Sequence, residues 1–509
     1  MERLTKDDLT QMDRGYFENL APKALIDLAC RLRDFSVDLV ERLEQNSKNS
    51  SRPPSSDNPY DKGNGKEFKS EEDDKDACSE DENNSSGDEE HSDSDDPMQS
   101  NEVKRSPGKQ PGAQGFWRSE PPVPEKIVPH YPTVCTGCGS SALKRSDRPY
   151  MGFYVYELEK TDMGIRIRCT LEHYYGAVCE CGHETKARPG EGAVSRLEGR
   201  KEDLKLTEYS MVGPMLVSFI SALSVRYKMS RVKIREFLSY WLGLELSVGT
   251  IDKSIREAGV ACFPIVEALL EDIQKQEVIH LDETPWYEKG CLRWLWVVIS
   301  SHIAIFHIGS RKKEELLGLI TEAFFGWLVT DGYLAYRSHK KRQRCLAHLI
   351  RKGIALTGSV DKKAQKMGEW LLRELRGLIK AVAEDGEGGQ QCNLILARLK
   401  RVCKLGSEEE HEKLRALAKE ILNDWDAVIA FVKNPFLPPT NNEAERALRH
   451  AVIARRISFG TRTTEGSRAY AALLSVIETC RLRGQDPWTY IAETVALGRK
   501  GMVPSAIRA

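Results

Sequence analysis

Several shortages narrow the chain first. Cysteine is sparse, 13 in 509 residues and mostly scattered. That suits a reducing cytosol rather than a disulfide-stapled secreted scaffold. No basic, apolar, small-residue leader opens the chain, so secretion is not expected. Long apolar runs are missing too. The uncharged stretch Tyr209 to Val225 is broken by four serines and by Gly213-Pro214, and falls short of a membrane span. With 30% charged residues, a cytoplasmic protein with no membrane partner is expected. What is present is ample apolar material, 40% of the chain, and a length that suggests roughly three or four domains.

The net charge of −1 conceals a segregation. Between Glu71 and Asp96 stand 14 acidic residues and one basic residue, Lys75, and the net value leaves +12 for the remainder. A basic body with an acidic linker points to a polyanionic partner such as nucleic acid, although a solvated surface explains the same charges.

Leu25, Leu28, Leu32, Phe35, Leu39 and Leu43 recur mostly at steps of three and four. They predict an amphipathic helix within 1–46, either docked on its own chain or forming a short coiled coil. Residues 47–129 are rich in Ser, Asn, Asp, Glu, Pro and Gly. Such a composition cannot bury enough apolar area to offset its ordering entropy, and a disordered acidic linker is expected.

Within 130–190, Cys135-Thr-Gly-Cys138-Gly139 and Cys179-Glu-Cys181-Gly182 flank β-prone runs such as Phe153-Tyr-Val-Tyr156 and Ile165-Arg-Ile-Arg168. Two knuckles joined by strands make a zinc-ribbon-like pattern, in which Cys135, Cys138, Cys179 and Cys181 can close a tetrahedral structural site. The second knuckle has one intervening residue where two are usual, which leaves Cys169, His173 and His183 as substitutes. Residues 200–262 read as helical. Ser230 to Leu242 forms one helix, Gly243 ends it, and Ser247 caps a second over Val248–Ala258. This is a helix-turn-helix signal, placing Thr250, Lys253, Ser254 and Arg256 on or near a DNA-facing surface. An ordinary helical hairpin gives the same pattern.

From Glu277 the periodicity changes. Strands are expected over Val278–Thr284, Arg293–Ile299 and Ala304–Ile308, then a helix around Lys312–Phe324, then a strand in Gly326–Gly332 ending at Asp331. Three meandering strands, a helix and a fourth strand open an α/β fold of RNase H-like type, with Asp282 on the first strand and Asp331 after the fourth. Adjacent Glu283 competes with Asp282, but strand alternation sends the two to opposite faces. Thr440 and Glu443 fit a capping box at the start of a late helix, leaving Glu445 free to project. Asn441, Glu445 and Arg449, spaced by four, share a face. Three carboxylates in one cleft repel unless divalent cations intervene. Two Mg²⁺ or Mn²⁺ ions on Asp282, Asp331 and Glu445 suit phosphodiester hydrolysis and transfer. Singly, each acid also reads as an ordinary turn or strand-end residue.

These motifs resemble the transposases of IS66-type insertion sequences. The resemblance covers nearly the whole length. It is most specific at His280-Leu-Asp-Glu-Thr284 with Trp294-Leu-Trp296, Thr330-Asp-Gly-Tyr333, Cys345-Leu-Ala-His348 and Asn441-Asn-Glu-Ala-Glu-Arg446. It implies a DDE recombinase that binds terminal inverted repeats and cuts and joins DNA strands. In that reading 275–460 is the catalytic domain, with a helical insertion at about 340–437, and 461–509 is a C-terminal helical tail. Cys345 and His348 match a Cys-x-x-His signature seen after the second acid and would support catalysis. Arg446, Arg449, Arg455 and Arg456 suit phosphate contacts. Double-stranded DNA, a homodimer or higher synaptic complex, and accessory proteins of the element are the implied partners, in a nucleoid-associated setting. A DNA-binding regulator without catalysis and a structure-specific nuclease are the rival readings.

Overall fold

The computed structural model describes residues 21–43, 121–192, 204–359, 361–385 and 389–508. The acidic tract Glu71–Asp96, most of the expected linker and the first 20 residues lie outside the described residues. The heptad segment forms helix α1 (Pro22–Leu43), with Leu28 buried and Leu25 exposed.

The cysteine-bearing region is a sheet built on one long hairpin. Strand β2 (Leu143–Thr161) pairs antiparallel with β3 (Gly164–Cys179). Strand β1 (Lys126–His130) adds parallel to β3, and β4 (Glu184–Lys186) adds antiparallel to it. Residues 126–129 were expected in the linker and instead form a strand. At the hairpin end remote from the cysteines, Tyr156, Leu158 and Cys169 join the main hydrophobic core.

Residues 204–213, expected to be helical, are not. Thr207 bridges to Glu191 and Val212 to Tyr156. Helices then follow: α2 (Pro214–Ser221), extended by a π-helical turn Ala222–Arg226, then α3 (Arg231–Leu242), α4 (Val248–Ala261) and α5 (Phe263–Ile273). The signals read for α3 and α4 operate as expected. The Ser230 and Ser247 hydroxyls accept from Lys233 N and Thr250 N, and Gly243 takes φ 60°. Gly259 lets α4 lie directly on Ala469, where a Cβ would overlap.

A five-stranded mixed sheet forms the centre. Its strands are β5 (Val278–Glu288), β6 (Cys291–Ile299), β7 (Ala304–Gly309), β8 (Trp327–Thr330) and β9 (Arg342–Arg344), in the order β7-β6-β5-β8-β9. The first three meander antiparallel, while β5–β8 and β8–β9 are parallel. Helix α6 (Lys313–Leu319) connects β7 to β8 and is shorter than expected. Strand β5 continues past Pro285, which sits beyond the residues that pair with β8 and so costs that ladder no donor.

After β9 come α7 (Leu346–Thr357), α8 (Lys362–Asp385), α9 (Gln390–Ser407), α10 (Glu412–Asn423) and two single turns, α11 (Trp425–Val428) and α12 (Ala430–Lys433). From Leu346 to Leu437 these residues share a separate apolar core. Strand β9 couples it to the sheet through buried polar bonds. Arg342 pairs with Asp424, the Gln343 side-chain oxygen Oε1 accepts from Phe431 N at 2.8 Å, and Arg344 meets Glu420 at 2.6 Å.

The chain returns to the sheet through α13 (Asn442–Ser458). Helices α14 (Thr464–Leu482) and α15 (Pro487–Arg499) complete the main core. The Ser475 and Thr479 hydroxyls accept the backbone N–H groups of Phe306 and Ala304, so α14 covers the β7 edge that would otherwise offer free donors. No helix among the described residues is long and apolar enough to cross a membrane.

Candidate active site

The acids converge because of strand register. The last paired residues of parallel strands β5 and β8 are His280 and Val329. Asp282 and Asp331 each lie two residues further on, Asp282 in mid-strand on β5 and Asp331 just after β8, where these two neighbouring strands have ceased to pair. Asp331 forms an Asx turn, accepting Tyr333 N at 2.9 Å. Gly332 has no Cβ because the Arg344 guanidinium lies where one would be.

Asp282 accepts Glu283 N at 3.0 Å. Burial pushes its carboxyl well above the usual range, and Asp331, Glu283 and Glu445 push it further. Glu283, on the opposite face, is clamped by the Tyr336 hydroxyl and by Arg311 at 2.9 Å. Burial and then Asp331 raise it to about 7, against the pull of Tyr336 and Arg311. Arg311 is sandwiched between Trp294, 4.0 Å from the ring centroid, and Tyr333 at 4.4 Å. Two aromatic residues of the sequence motifs thus hold the arginine that holds Glu283.

Glu445 reaches the site one turn into α13. The capping box expected at Thr440 and Glu443 is absent: the N-cap is Asn441, with no side-chain cap bond, and Glu443 pairs with Arg446. Asn441 is fully buried and serves as a tie. Its side-chain oxygen faces His280 Nδ1 at 3.0 Å, its amide donates to Leu281 O at 2.9 Å, and its backbone N–H donates to Cys345 Sγ at 3.1 Å. Cys345 N donates in turn to Thr330 O at 2.7 Å. The chain beside all three acids is therefore fastened at one knot.

Glu445 itself faces Arg351 at 3.3 Å and His348 Nδ1 at 3.9 Å. Burial, with Arg351, Arg344 and Lys352, lowers His348 to about 3, so it is neutral. Two groups of metal-competent side chains have ligand atoms within 4.8 Å of one another among the described residues. One is the four cysteines. The other is Cys345, His348 and Glu445, not the three acids together. Burial raises the Cys345 thiol to about 11.

The four cysteines fit a tetrahedral thiolate site. Sγ separations are 3.7 Å for Cys135–Cys181 and 3.5 Å for Cys138–Cys179, near the roughly 3.8 Å that Zn–S bonds of about 2.3 Å impose. Each knuckle turns through a glycine at positive φ, Gly139 at 77° after the first and Gly182 at 80° after the short second. Two substitutes are elsewhere, Cys169 in the core and His173 against Gly152, while His183 lies beside the first knuckle with its ring nitrogen on Thr136 Oγ1 at 2.8 Å.

The residues read as DNA-facing divide. Lys253 is exposed, while Thr250 is tied to the Ser247 hydroxyl at 2.9 Å and Arg256 is ion-paired with Asp252 at 3.1 Å. Ser254 is buried and donates to Thr250 O, a correction to its expected place on that face. Arg446, Arg449 and Arg456 are exposed. Arg455 is engaged internally, donating to Thr284 Oγ1 at 3.1 Å and to Pro285 O.

A sheet with acids gathered where β5 and β8 part fits a family match to transposases. The model described as "Transposase IS66 family" matches residues 209–469. The chain belongs to the IS66 transposase family. It is also similar to three proteins of Sinorhizobium fredii, each described as uncharacterized. Protein y4qI is 24% identical over 304 residues, 52% of this chain and 56% of the relative. Protein y4hP is 24% identical over 418 residues, 73% of this chain and 72% of the relative. Protein y4jD is 26% identical over 272 residues, 46% of this chain and 52% of the relative. The chain thus spans little more than half the length of the first and third.

Proposed function

We propose that this protein is a DDE transposase that cuts and joins DNA strands at the ends of an insertion sequence, using Asp282, Asp331 and Glu445 on an RNase H-like core. The observation that carries the reading is the crowding at Asp282, whose carboxyl is pushed up by burial and by Asp331, Glu283 and Glu445. Acids crowded where the parallel strands β5 and β8 part suit hard divalent cations, Mg²⁺ or Mn²⁺. The strand order β7-β6-β5-β8-β9, with three antiparallel strands and then two parallel ones, supports the fold assignment.

The donor set fits such ions, since all three side chains offer carboxylate oxygens. When bound, two ions supply activation of an attacking hydroxyl and stabilisation of the leaving oxygen. The protein's own part is positioning. The Asn441 knot holds α13 against β5, and the Asx turn at Asp331 fixes the second acid. The Trp294–Arg311–Glu283 stack anchors the strand that carries Asp282. Zinc on the cysteine quartet would rigidify the hairpin. The α3–α4 pair, with Lys253 outward, and the exposed Arg446, Arg449 and Arg456 are candidate DNA contacts. The partners follow from the chemistry: duplex DNA, and at least a dimer to hold two ends together.

The test uses DNA ends taken from the sequence flanking the gene, with Mg²⁺. Asp282→Asn, Asp331→Asn and Glu445→Gln are each expected to lower strand cleavage at least about 100-fold while leaving end binding intact. Variants that cleave like the parent would refute the assignment. Cleavage without joining would point to a nuclease.

A further inference from the structure

Beside the acids lie two arginines and a neutral histidine that the proposed chemistry has not used. Arg344 on β9 and His348 and Arg351 on α7 are all buried, with side chains 3%, 11% and 12% exposed. Each carries one nitrogen without a hydrogen-bond partner: Arg344 Nη1, His348 Nδ1 and Arg351 Nη1. Unpartnered polar atoms are costly in a protein interior and call for an explanation. The rest of each guanidinium is anchored. Arg344 Nη2 meets Glu420 at 2.6 Å and Arg351 Nη2 meets Glu445 at 3.3 Å. Lys352 also sits on Glu420, at 2.7 Å.

The positions matter as much as the loose ends. The Arg344 guanidinium lies against Gly332, next to Asp331. Arg351 is at Glu445, and His348 lies on the same helix face three residues before it. The row therefore runs from the second acid to the third. Three cations, Arg344, Arg351 and Lys352, face three carboxylates, Glu420, Glu445 and the neighbouring Asp331, so it is the unpartnered nitrogens rather than any surplus charge that call for a ligand. A second ligand chemistry, a transition metal on Cys345, His348 and Glu445, is disfavoured by those three cations and by the bond that Cys345 Sγ already accepts from Asn441 N.

We infer that Arg344, His348 and Arg351 form a pocket for one phosphodiester group of a DNA backbone, seated against the acid cluster. A phosphodiester is a monoanion with two free oxygens, each able to accept from an unpartnered guanidinium N–H such as those of Arg344 and Arg351. In this pocket Arg351 shares Glu445 and the phosphate, which sets the strand's distance from the third acid. The inference rests on the proposed function only for the ligand being DNA.

The experiment uses the full chain without added divalent cations, so that cleavage plays no part. Binding of a fluorescent DNA duplex is followed by anisotropy over a range of NaCl. Arg351→Gln and Arg344→Gln are each expected to reduce the slope of log K against log[salt] by about 0.9, one phosphate contact, and Arg351→Lys to restore most of it. In a second arm, sodium phosphate raises the parent's Tm above chloride of equal ionic strength, and both glutamine variants lose that rise. Circular dichroism establishes folding, and Arg351→Gln carries the test alone if Arg344→Gln does not fold. Parent-like slopes and phosphate shifts in the folded variants would overturn the pocket. So would a Tm rise with Zn²⁺ but not phosphate that His348→Asn abolishes. Failure here leaves the acid-variant cleavage test untouched, and failure there leaves these binding curves untouched.

Discussion

Asp282 and Glu283 leave opposite faces of one strand, yet Asp331 raises both carboxyls. Glu283 ionises near 4.5 when free and at about 7 when folded. Between those values the folded chain holds more protons than the unfolded one, so stability falls as pH rises through that window. Without added divalent cations, the denaturant midpoint is expected to be lower at about pH 8 than at about pH 5. Glu283→Gln should shrink that drop, and so should Mg²⁺. A flat profile in the parent would contradict the crowding. The acids were legible because each stands in a recognisable local setting: a strand, a strand-to-glycine turn, a helix start. Their partners were not. Tyr336 and Arg311 reach Glu283 from 53 and 28 residues away, and Arg351 reaches Glu445 from 94. No local pattern encodes such pairings.

Helix starts and strand ends show where local chemistry suffices and where packing overrides it. Ser230, Gly243 and Ser247 act as their residue types predict, because those caps depend on nothing beyond a few neighbours. At α13 the local rule fails. Asn441 takes the N-cap and turns its side chain toward β5, where burial rewards two side-chain bonds more than one cap bond. Strand β9 gave no signal at all, since Arg-Gln-Arg reads as solvent-facing and is buried only because Asp424, Phe431 N and Glu420 converge on it. The cysteine hairpin offers an element-scale prediction. Cys138→Ser, or treatment with a strong chelator, should remove roughly one zinc per chain and speed amide exchange at the knuckle end of β2 and β3. The thermal transition of the five-stranded sheet should move little. Parental exchange rates with no zinc lost would argue against a bound ion.

At the scale of the whole molecule, two apolar cores are joined through β9. Asp424→Ala leaves the buried Arg342 guanidinium without its carboxylate, at a cost of about 3–5 kcal/mol. Denaturant unfolding of this variant should separate into two steps, with tryptophans of the insertion (Trp370, Trp425) changing before those of the sheet. One unshifted transition would show that the pair does not couple the cores. The C-terminal segment reads in the sequence as a tail, but α14 shields the β7 edge and α15 is locked to α4 by the buried Arg499–Glu257 pair at 2.7 Å. Such roles emerge only when distant segments meet. The insertion leaves and rejoins the sheet at one point, where Leu346 N donates to Pro439 O at 2.9 Å and Asn441 N to Cys345 Sγ. An excursion closed at its stem can be lengthened, trimmed or exchanged as a cassette without disturbing the acids. The count of residues between the second and third acids is therefore a poor ruler of kinship among such proteins, and the stem itself is the better landmark for aligning them.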